Sequence, residues 1–507
     1  MGSTFSGIAI ANSGLYVSQR ALNTTGHNVS NTDTEGYVRQ QVMQVDTTYI
    51  KNGKYQAGTG VGIEETRQMR SIFLDNMYRN EKSSLSYWQA RQNTVDDIEA
   101  VMDDLSDDGG MQNAIDEFFN AWEEVSKDPT GGAARASLIE YGNSLVEMFN
   151  QVDDQLDQIQ ENLDSQIEAM VEDINSIAEQ VAELNGKIAR CEANGDNAND
   201  YKDELNSLLD TLSEYVNINV SIDSNGIYNV SIGGANLVNG TNANKLTCET
   251  NHSNGTFNTV VWEDSGTQLK LKDGMLLGLI EARGDVSGGK GSVGNGSPVE
   301  SGDEEADIDA DADSYNFTGD SKNIVSEIRT GLNMMVSLLA RKVNEIHSSG
   351  EGLDGSTGND FFVKIDDSLP FEVGNIKVNP ELDDTDKIAA SSIGGSNDGA
   401  IAAEISDFSN TEYFKYDGLK TNISEFYSKL VGWIGTEGNE AKNAVSNQDT
   451  LVQQAQARKE SLSAVSLDEE LSNLVKYQHA YNASARVMST MDDMIATVIK
   501  EMGVVGR

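Results

Sequence analysis

LDEELSNLVKYQHAYNASARVMSTMDDMIATVIKEM, residues 467–502, is the stretch that decides the fold. Apolar side chains recur in it every seven residues without a break, at Leu467, Leu474, Tyr481, Met488, Ile495 and Met502. A seven-residue repeat places apolar side chains in one stripe along an α-helix. Such a helix is stable in water mainly when another helix covers the stripe. The sequence therefore predicts one long terminal helix that needs a partner.

A second seven-residue repeat lies at the other end of the chain, with small residues beside it. We expect the segments 1–60 and 460–507 to pair as a coiled coil, because neither stripe has a local core to cover it. The stripes can meet each other, other copies of the chain, or both, and an ordinary bundle within one copy is the alternative. The candidate assembly residues are Ile8, Leu15, Leu22, Val29, Leu467, Leu474, Tyr481, Met488 and Ile495.

The interior of the chain predicts further helices around a small β module. Apolar residues stand alternately four and three apart over 145–191, except for one extra step of four between Leu163 and Ile167, and again over 201–215. A polar turn lies between the two runs, which indicates a helical hairpin. The alternation changes to every second residue over 216–262, as in antiparallel strands, and a short helix at 275–283 closes this module. Other predicted elements are helices at 72–105, 111–127, 321–347, 398–434 and 437–463, and a β-rich patch at 360–388.

Together these patterns predict a mainly α fold with a β insertion. We expect an elongated, multi-domain chain with paired terminal helices, an inner helical bundle and a small antiparallel β module mid-chain. The predicted domains are an N-terminal helix with an extended segment (1–60), a first helical part (61–215), a variable β insertion with an acidic Gly-rich loop (216–320), a second helical part (321–459) and a C-terminal helix (460–507).

Composition narrows the function classes. The chain has 507 residues, 82 of them acidic and 36 basic, and its formal net charge of −46 argues against nucleic-acid binding. Two cysteines rule out a disulfide scaffold or a multi-cysteine metal cluster. No window reaches the ~18 apolar residues of a membrane span, and no cleavable secretory signal stands at the start. We expect no membrane insertion, and either a cytosolic location or export without a cleaved signal.

Few residues suggest chemistry. The acidic run Asp307, Asp309, Asp311 and Asp313 begins like a calcium loop but has neither the glycine nor the glutamate that such a loop needs, so we expect a solvated acidic loop. His347 ends a predicted helix, where a cation is favourable, and is expected to cap it. We predict no enzymatic activity, no metal and no cofactor.

Three motifs carry a resemblance to a known family. Residues 26–40 (GHNVSNTDTEGYVRQ), 339–350 with 354–355, 361–362 and 385–391, and 466–490 follow in the family's order. They resemble bacterial flagellar rod, hook and hook-associated proteins, and among these the first hook-associated protein family. The signature residues are Asn28, Asn31, Thr34, Gly36, Tyr37, Arg39, Tyr477, Gln478, Tyr481, Ala485 and Arg486.

The resemblance implies a structural role in the extracellular flagellum, at the junction between hook and filament. Its expected partners are the flagellar hook protein, the second hook-associated protein, further copies in a ring or short helical layer, and a cytosolic export chaperone on the C-terminal helix. It also implies export through the flagellar type III channel without a cleaved signal peptide. The alternatives are another axial component, hook or distal rod, and a flagellum-borne adhesin or surface antigen.

Overall fold

The structure is a computed structural model, and it describes residues 4–34, 36–52, 55–104, 110–250, 257–284, 316–319, 322–392 and 397–502. The acidic run at 307–313, and nearly all of the loop predicted for 284–319, lie outside these residues. Over the described ranges the helices are α1 (Thr4–Ser30), α2 (Ile72–Asp104), α3 (Met111–Lys127), α4 (Gly132–Ala193), α5 (Asn199–Tyr215), α6 (Met275–Arg283), α7 (Ile324–Ser348), α8 (Ala400–Phe408), α9 (Ile423–Ser463) and α10 (Leu467–Met502).

The strands are short and belong to small sheets. Antiparallel pairs form between β1 and β4, β2 and β3, β9 and β10, and β12 and β13; β5 to β8 form a four-stranded antiparallel sheet, and β14 lies between β11 and β15. This confirms a mainly α fold with small antiparallel β modules. The bounds are β1 Gln40–Asp46, β2 Tyr49–Asn52, β3 Tyr55–Gly58, β4 Val61–Gln68, β5 Ile218–Ile222, β6 Tyr228–Ile232, β7 Ala235–Asn239, β8 Asn242–Ala243, β9 Leu246–Thr250, β10 Asn258–Trp262, β11 Asn316–Phe317, β12 Phe362–Val363, β13 Lys377–Val378, β14 Phe414–Tyr416 and β15 Leu419–Thr421.

The chain divides into two compact units. The first unit comprises Met1–Lys82, Ile174–Lys245 and Asp449–Arg507, and the second comprises Ser83–Asp173 and Leu246–Gln448. Each unit contains residues from several of the five domains expected from the sequence. The division into five domains stays a prediction.

α4 and α5 bury most of the apolar stripes that the four-and-three spacing predicted, and α5 departs from the prediction. Leu205 and Leu212 are fully buried as expected, but Tyr201 is 41% exposed, and Leu209 rather than Leu208 is buried. Asn206, on the same side of α5, donates to the Tyr228 hydroxyl on β6 at 3.3 Å. The buried stripe of α5 is thus rotated from the predicted one, toward the side that contacts Tyr228.

The second unit is built around aromatic side chains. Phe118 and Trp122 of α3 contact Phe361, with ring centroids 5.7 and 5.2 Å away, and Phe362 lies 4.9 Å from Phe361. All four side chains are fully buried. Such ring pairs stabilise a core beyond the apolar area that they bury.

His347 belongs to this core, which corrects its predicted role as a cationic cap of the helix end. Its ring is completely buried and lies 5.9 Å from Trp122. Nδ1 lies 2.6 Å from the Asn359 carbonyl, and Nε2 accepts from the Ala389 amide at 2.9 Å. Burial lowers the pKa of His347 to about 4. The neutral ring therefore joins two loops to the end of α7.

We expect the second unit to lose stability between about pH 6.5 and pH 4. The folded pKa of His347 is about 4, below the ordinary value of 6.5, so its contribution is complete above pH 6.5 and is lost as the pH falls. A shift of this size corresponds to ~3 kcal/mol. Urea unfolding followed by tryptophan fluorescence at several pH values measures the loss. A His347→Gln variant with the same pH dependence would contradict the assignment.

Residues 398–463 also differ from the prediction of two long helices. The first helix is short, α8; the β14–β15 hairpin follows, turning at Asp417 and Gly418, whose φ angles are +49° and +74°. α9 is then continuous to Ser463 despite its glycines. A Cβ on Gly438 would lie 3.2 Å from Val95, so this glycine allows close packing and does not break the helix. The patch at 360–388 holds only β12, β13 and the 3₁₀ turns Pro380–Asp383 and Thr385–Lys387.

Candidate assembly site at the paired terminal helices

The terminal helices α1 and α10 pack along each other in opposite directions, which confirms their predicted pairing. A Cβ on Gly7 would lie 2.8 Å from Met491, and a Cβ on Gly14 would lie 2.7 Å from the Ser484 hydroxyl. Farther along, Asn28 hydrogen-bonds to Glu470. Moving seven residues toward the C-terminus of α1 therefore corresponds to moving seven residues toward the N-terminus of α10. The two helices keep this antiparallel register from Gly7 to Asn28.

Small and polar residues form the contact face of α1, and the predicted apolar stripe does not. Ile8, Leu15, Leu22 and Val29 are only half-buried, as are Leu474, Met488 and Ile495 on α10, while Leu467 and Tyr481 are 47% and 37% exposed. Small residues let two helix backbones approach closely, which leaves larger side chains at the border of the contact. The role of the predicted stripe in assembly stays a prediction. The buried residues of α1 are Ala11, Val17, Ser18, Ala21, Thr24, Thr25 and Asn28.

Replacing Gly14 by leucine should separate the helix pair locally. The added side chain has no room beside Ser484, and overpacking of this kind costs ~1–3 kcal/mol. Gly26→Ala is the matched control, because nothing lies within 4 Å of a Cβ there and alanine favours helix by ~0.5–1 kcal/mol. Hydrogen exchange of α1 and α10 should accelerate in the first variant and slow in the second. Equal exchange in the two variants would contradict the register.

Asn28 is the centre of a hydrogen-bond network at the end of this pair. Its side chain is 1% exposed. Nδ2 donates to the Gln40 carbonyl at 2.9 Å and to Glu470 Oε2 at 3.1 Å. Oδ1 accepts from the Gln40 amide at 3.0 Å and from the Tyr37 hydroxyl at 2.8 Å. An asparagine amide has two donors and two acceptor sites, so its hydrogen-bonding capacity is filled.

Arg39 connects the same network to the start of α10. Its Nε donates to Glu470 Oε1 at 2.8 Å, and its Nη1 lies 2.8 Å from Glu469 Oε2. Its backbone amide donates to the Ser463 carbonyl at 2.9 Å. The side chain of Glu470 is only 3% exposed, so its charge is compensated by a buried contact with Arg39.

The loop after α1 brings Tyr37 back onto the helix. Asn31 Nδ2 donates to the His27 carbonyl at 2.9 Å, and Thr34 donates to Asn31 Oδ1 at 3.2 Å. Gly36 has a φ of +78°, a conformation that favours glycine. Burial, with nearby carboxylates, raises the pKa of Tyr37, so its hydroxyl keeps the proton that it donates to Asn28.

The remaining signature residues are on α10 and divide into two groups. Tyr477 is half-buried and lines a cavity of about 20 Å³, about the size of one water, with Ala21, Thr25, Arg39 and Glu470. Ala485 is also half-buried, whereas Gln478 and Arg486 are exposed. The structure therefore groups Asn28, Tyr37, Arg39 and Tyr477, and it leaves Gln478 and Arg486 outside the network.

Sequence reasoning missed Glu470 and Asp203, which complete this site. Asp203 on α5 accepts from the Val38 amide at 3.4 Å and from Gln68 Nε2 at 2.8 Å. Burial raises the pKa of Asp203 to about 7. Glu470 stands seven residues before Tyr477, at a heptad position that faces the partner helix. An acidic residue at such a position is unusual, and it was the signal in the sequence that could have identified Glu470.

In the parts of the chain that the structure describes, no group of three or more His, Cys, Asp or Glu side chains is arranged to hold a metal ion. Among the same residues, no helix combines the length and the apolar character needed to cross a membrane. The side chains of the terminal site pack, hydrogen-bond and pair charges, and they make a joint between the two ends of the chain.

Comparison with known proteins assigns the chain to a family. The family model described as "Flagellar hook-associated protein FlgK helical domain" matches residues 95–362, and the one described as "Flagellar basal body rod FlgEFG protein C-terminal" matches residues 460–501. The chain is 32% identical to flagellar hook-associated protein 1 of Bacillus subtilis (strain 168), with 100% of each chain covered. It is 25% identical to the protein of that name from Salmonella typhimurium, with 96% of this chain and 98% of the relative covered.

The fold agrees with these relatives. The chain is similar to the structure described as the flagellar hook junction protein FlgK from Burkholderia pseudomallei, with a TM-score of 0.60, 15% identity, and 76% of this chain and 100% of that chain covered. The chain belongs to the flagellar hook-associated protein 1 family, a family of structural proteins of the bacterial flagellum at the hook–filament junction.

Proposed function

We propose that several copies of this chain form a layer between hook and filament, in which paired terminal helices of neighbouring copies pack together. The proposed partners are the hook protein on one side and the second hook-associated protein on the other. The proposed role is mechanical, with no catalysis. Family membership supports the location, and the surface of the terminal helices supports the packing of copies.

The observation that carries this proposal is the apolar surface left uncovered on α10. Eight large apolar side chains of α10 are each more than a third exposed, although one face of the helix lies against α1. Exposed apolar side chains in this number on one helix are typical of interaction sites. They are Leu467, Leu471, Val475, Tyr481, Val487, Met494, Val498 and Ile499.

The low charge of the terminal helices also supports packing of copies through this surface. α1 carries one charged residue, Arg20, and α10 carries six acidic and three basic residues, so the pair has a formal charge of +1 − 3 = −2. The whole chain has −46. Copies repel one another least where they carry least charge, because exposed charges act over only ~8 Å at physiological salt. Packing through the terminal helices therefore buries apolar area and keeps the acidic surfaces apart.

We further propose export through the flagellar type III channel without a cleaved signal peptide, to an extracellular position. A cytosolic chaperone that covers α10 beforehand fits the same exposed side chains, since uncovered apolar surface promotes aggregation.

Electron microscopy of a strain that lacks the chain tests the location. We expect hooks without filaments, and flagellin in the medium, with both corrected by the intact gene. A gold-labelled copy of the chain should mark the distal end of the hook. Label along the hook or rod, or normal filaments in the deletion strain, would contradict the proposal and favour another axial role.

A further inference from the structure

A cavity in the second unit lies beside the first turn of α4. Its volume is about 440 Å³, and its lining includes Arg135, Glu351, Asp354, Ser391 and Asp398. Two of the sequence motifs, 354–355 and 385–391, meet here, and the proposed junction role does not use them. A volume of this order is sufficient for a small organic molecule.

Arg135 gives the cavity a positive charge that the described residues do not pair. The residue is 1% exposed. Its Nε donates to the Pro129 carbonyl at 2.7 Å, and its Nη1 donates to the Thr385 and Ile388 carbonyls, both at 2.8 Å. Within the described ranges, no carboxylate lies within ion-pair distance of the guanidinium and Nη2 has no hydrogen-bond partner. Asp386 acts on the guanidinium electrostatically but makes no ion pair with it, so this buried charge has no directly bonded counter-charge.

Glu351 gives the same cavity an unpaired negative charge. The residue is half-buried, and among the described residues its carboxylate makes no hydrogen bond or ion pair. Asp354 and Asp398 add negative charge, and each already accepts a backbone hydrogen bond, at 2.8 Å from Ser356 and 2.9 Å from Ser392. The wall therefore carries opposite charges that do not meet each other.

We propose that this cavity binds a free α-amino acid, with its carboxylate on Arg135 and its ammonium group toward Glu351. A simple anion would be repelled by the three carboxylates, and a simple cation would leave the buried guanidinium without a counter-charge. A small zwitterion satisfies both charges at once. Arg135 also holds the carbonyls of Thr385 and Ile388, so the site exists before the ligand arrives.

Calorimetric titration of the full chain with glycine tests this site, with acetate and methylammonium as probes that carry one charge each. We expect saturable binding of glycine, and binding at least about tenfold weaker for either half-ligand, which corresponds to ~1.4 kcal/mol. Other L-amino acids, titrated singly, then define the side chain that the cavity prefers. Glu351→Gln should weaken glycine binding about tenfold or more, and it should not weaken acetate binding, because it removes one of the carboxylates that repel an anion.

Glu404→Gln is the matched control, since it removes the same charge from an exposed position on α8 outside the cavity. It should bind glycine as the unchanged chain does. Tryptophan fluorescence verifies that both variants are folded. No saturable heat with any amino acid, equal affinity for acetate and glycine, or equal weakening by the two substitutions would each overturn the proposal.

Discussion

Asn28→Asp should open the paired terminal helices while the second unit stays folded. The carboxylate cannot donate to Glu470 or to the Gln40 carbonyl, and it places a second buried negative charge about 3 Å from Glu470. Leaving a buried charge uncompensated costs ~3–5 kcal/mol. We expect hydrogen exchange in α1 and α10 to accelerate by at least about a hundredfold, since each ~1.4 kcal/mol is a factor of ten.

The chain offers two controls for this variant. Asn23→Asp makes the same chemical change on the exposed side of α1 and should leave exchange unaltered. All four tryptophans are in the second unit, so their fluorescence reports that unit alone, at Trp88, Trp122, Trp262 and Trp433. Unchanged exchange in Asn28→Asp, or a matching loss of the tryptophan transition, would show that Asn28 does not hold the terminal joint.

Val487→Asp combined with Met494→Asp should abolish filament attachment without unfolding the monomer. The two side chains are 46% and 51% exposed and stand seven residues apart, on one side of α10. In the free chain the new carboxylates remain in water. In an assembled layer they would be buried without partners, at a cost of several kcal/mol each. Attached filaments, counted by electron microscopy in a complemented deletion strain, should fall to the level of the empty strain.

Asn482→Asp combined with Ser489→Asp supplies the matched comparison. It adds the same two charges at the same spacing on a different, polar side of α10, and both positions are exposed. We expect it to retain filaments. Circular dichroism should be unchanged for both double variants. Equal loss in the two would mean that added charge alone disrupts the layer, and full attachment in the first would mean that Val487 and Met494 do not contact another copy.

Periodicity predicted the helices well where an apolar stripe runs along them. The bounds of α10 and of α3 coincide with the prediction, because a stripe, an adjoining turn and a terminal glycine or proline are all local signals. The contact face of α1 escaped this reasoning. Gly7, Gly14 and Ala21 carry almost no hydropathic signal, and their importance comes from the closeness of α10.

Interactions between distant parts of the chain explain the other differences. Glu470 is buried because Arg39, 431 residues earlier, compensates its charge. His347 is a core residue because the loops at Asn359 and Ala389 fold over it, which nothing in its neighbourhood along the chain indicates. Signature motifs identified the family in advance, whereas the network that joins Asn28, Tyr37 and Arg39 required coordinates.

The bond between Asn28 and Glu470 spans 442 positions of the chain. A ribosome makes α1 near the beginning and α10 near the end, so the amino-terminal helix waits without its cover for most of synthesis. A product truncated before residue 467 would never acquire that cover and would stay open to proteases. The contact between the two ends therefore forms only after residue 470 has been synthesised.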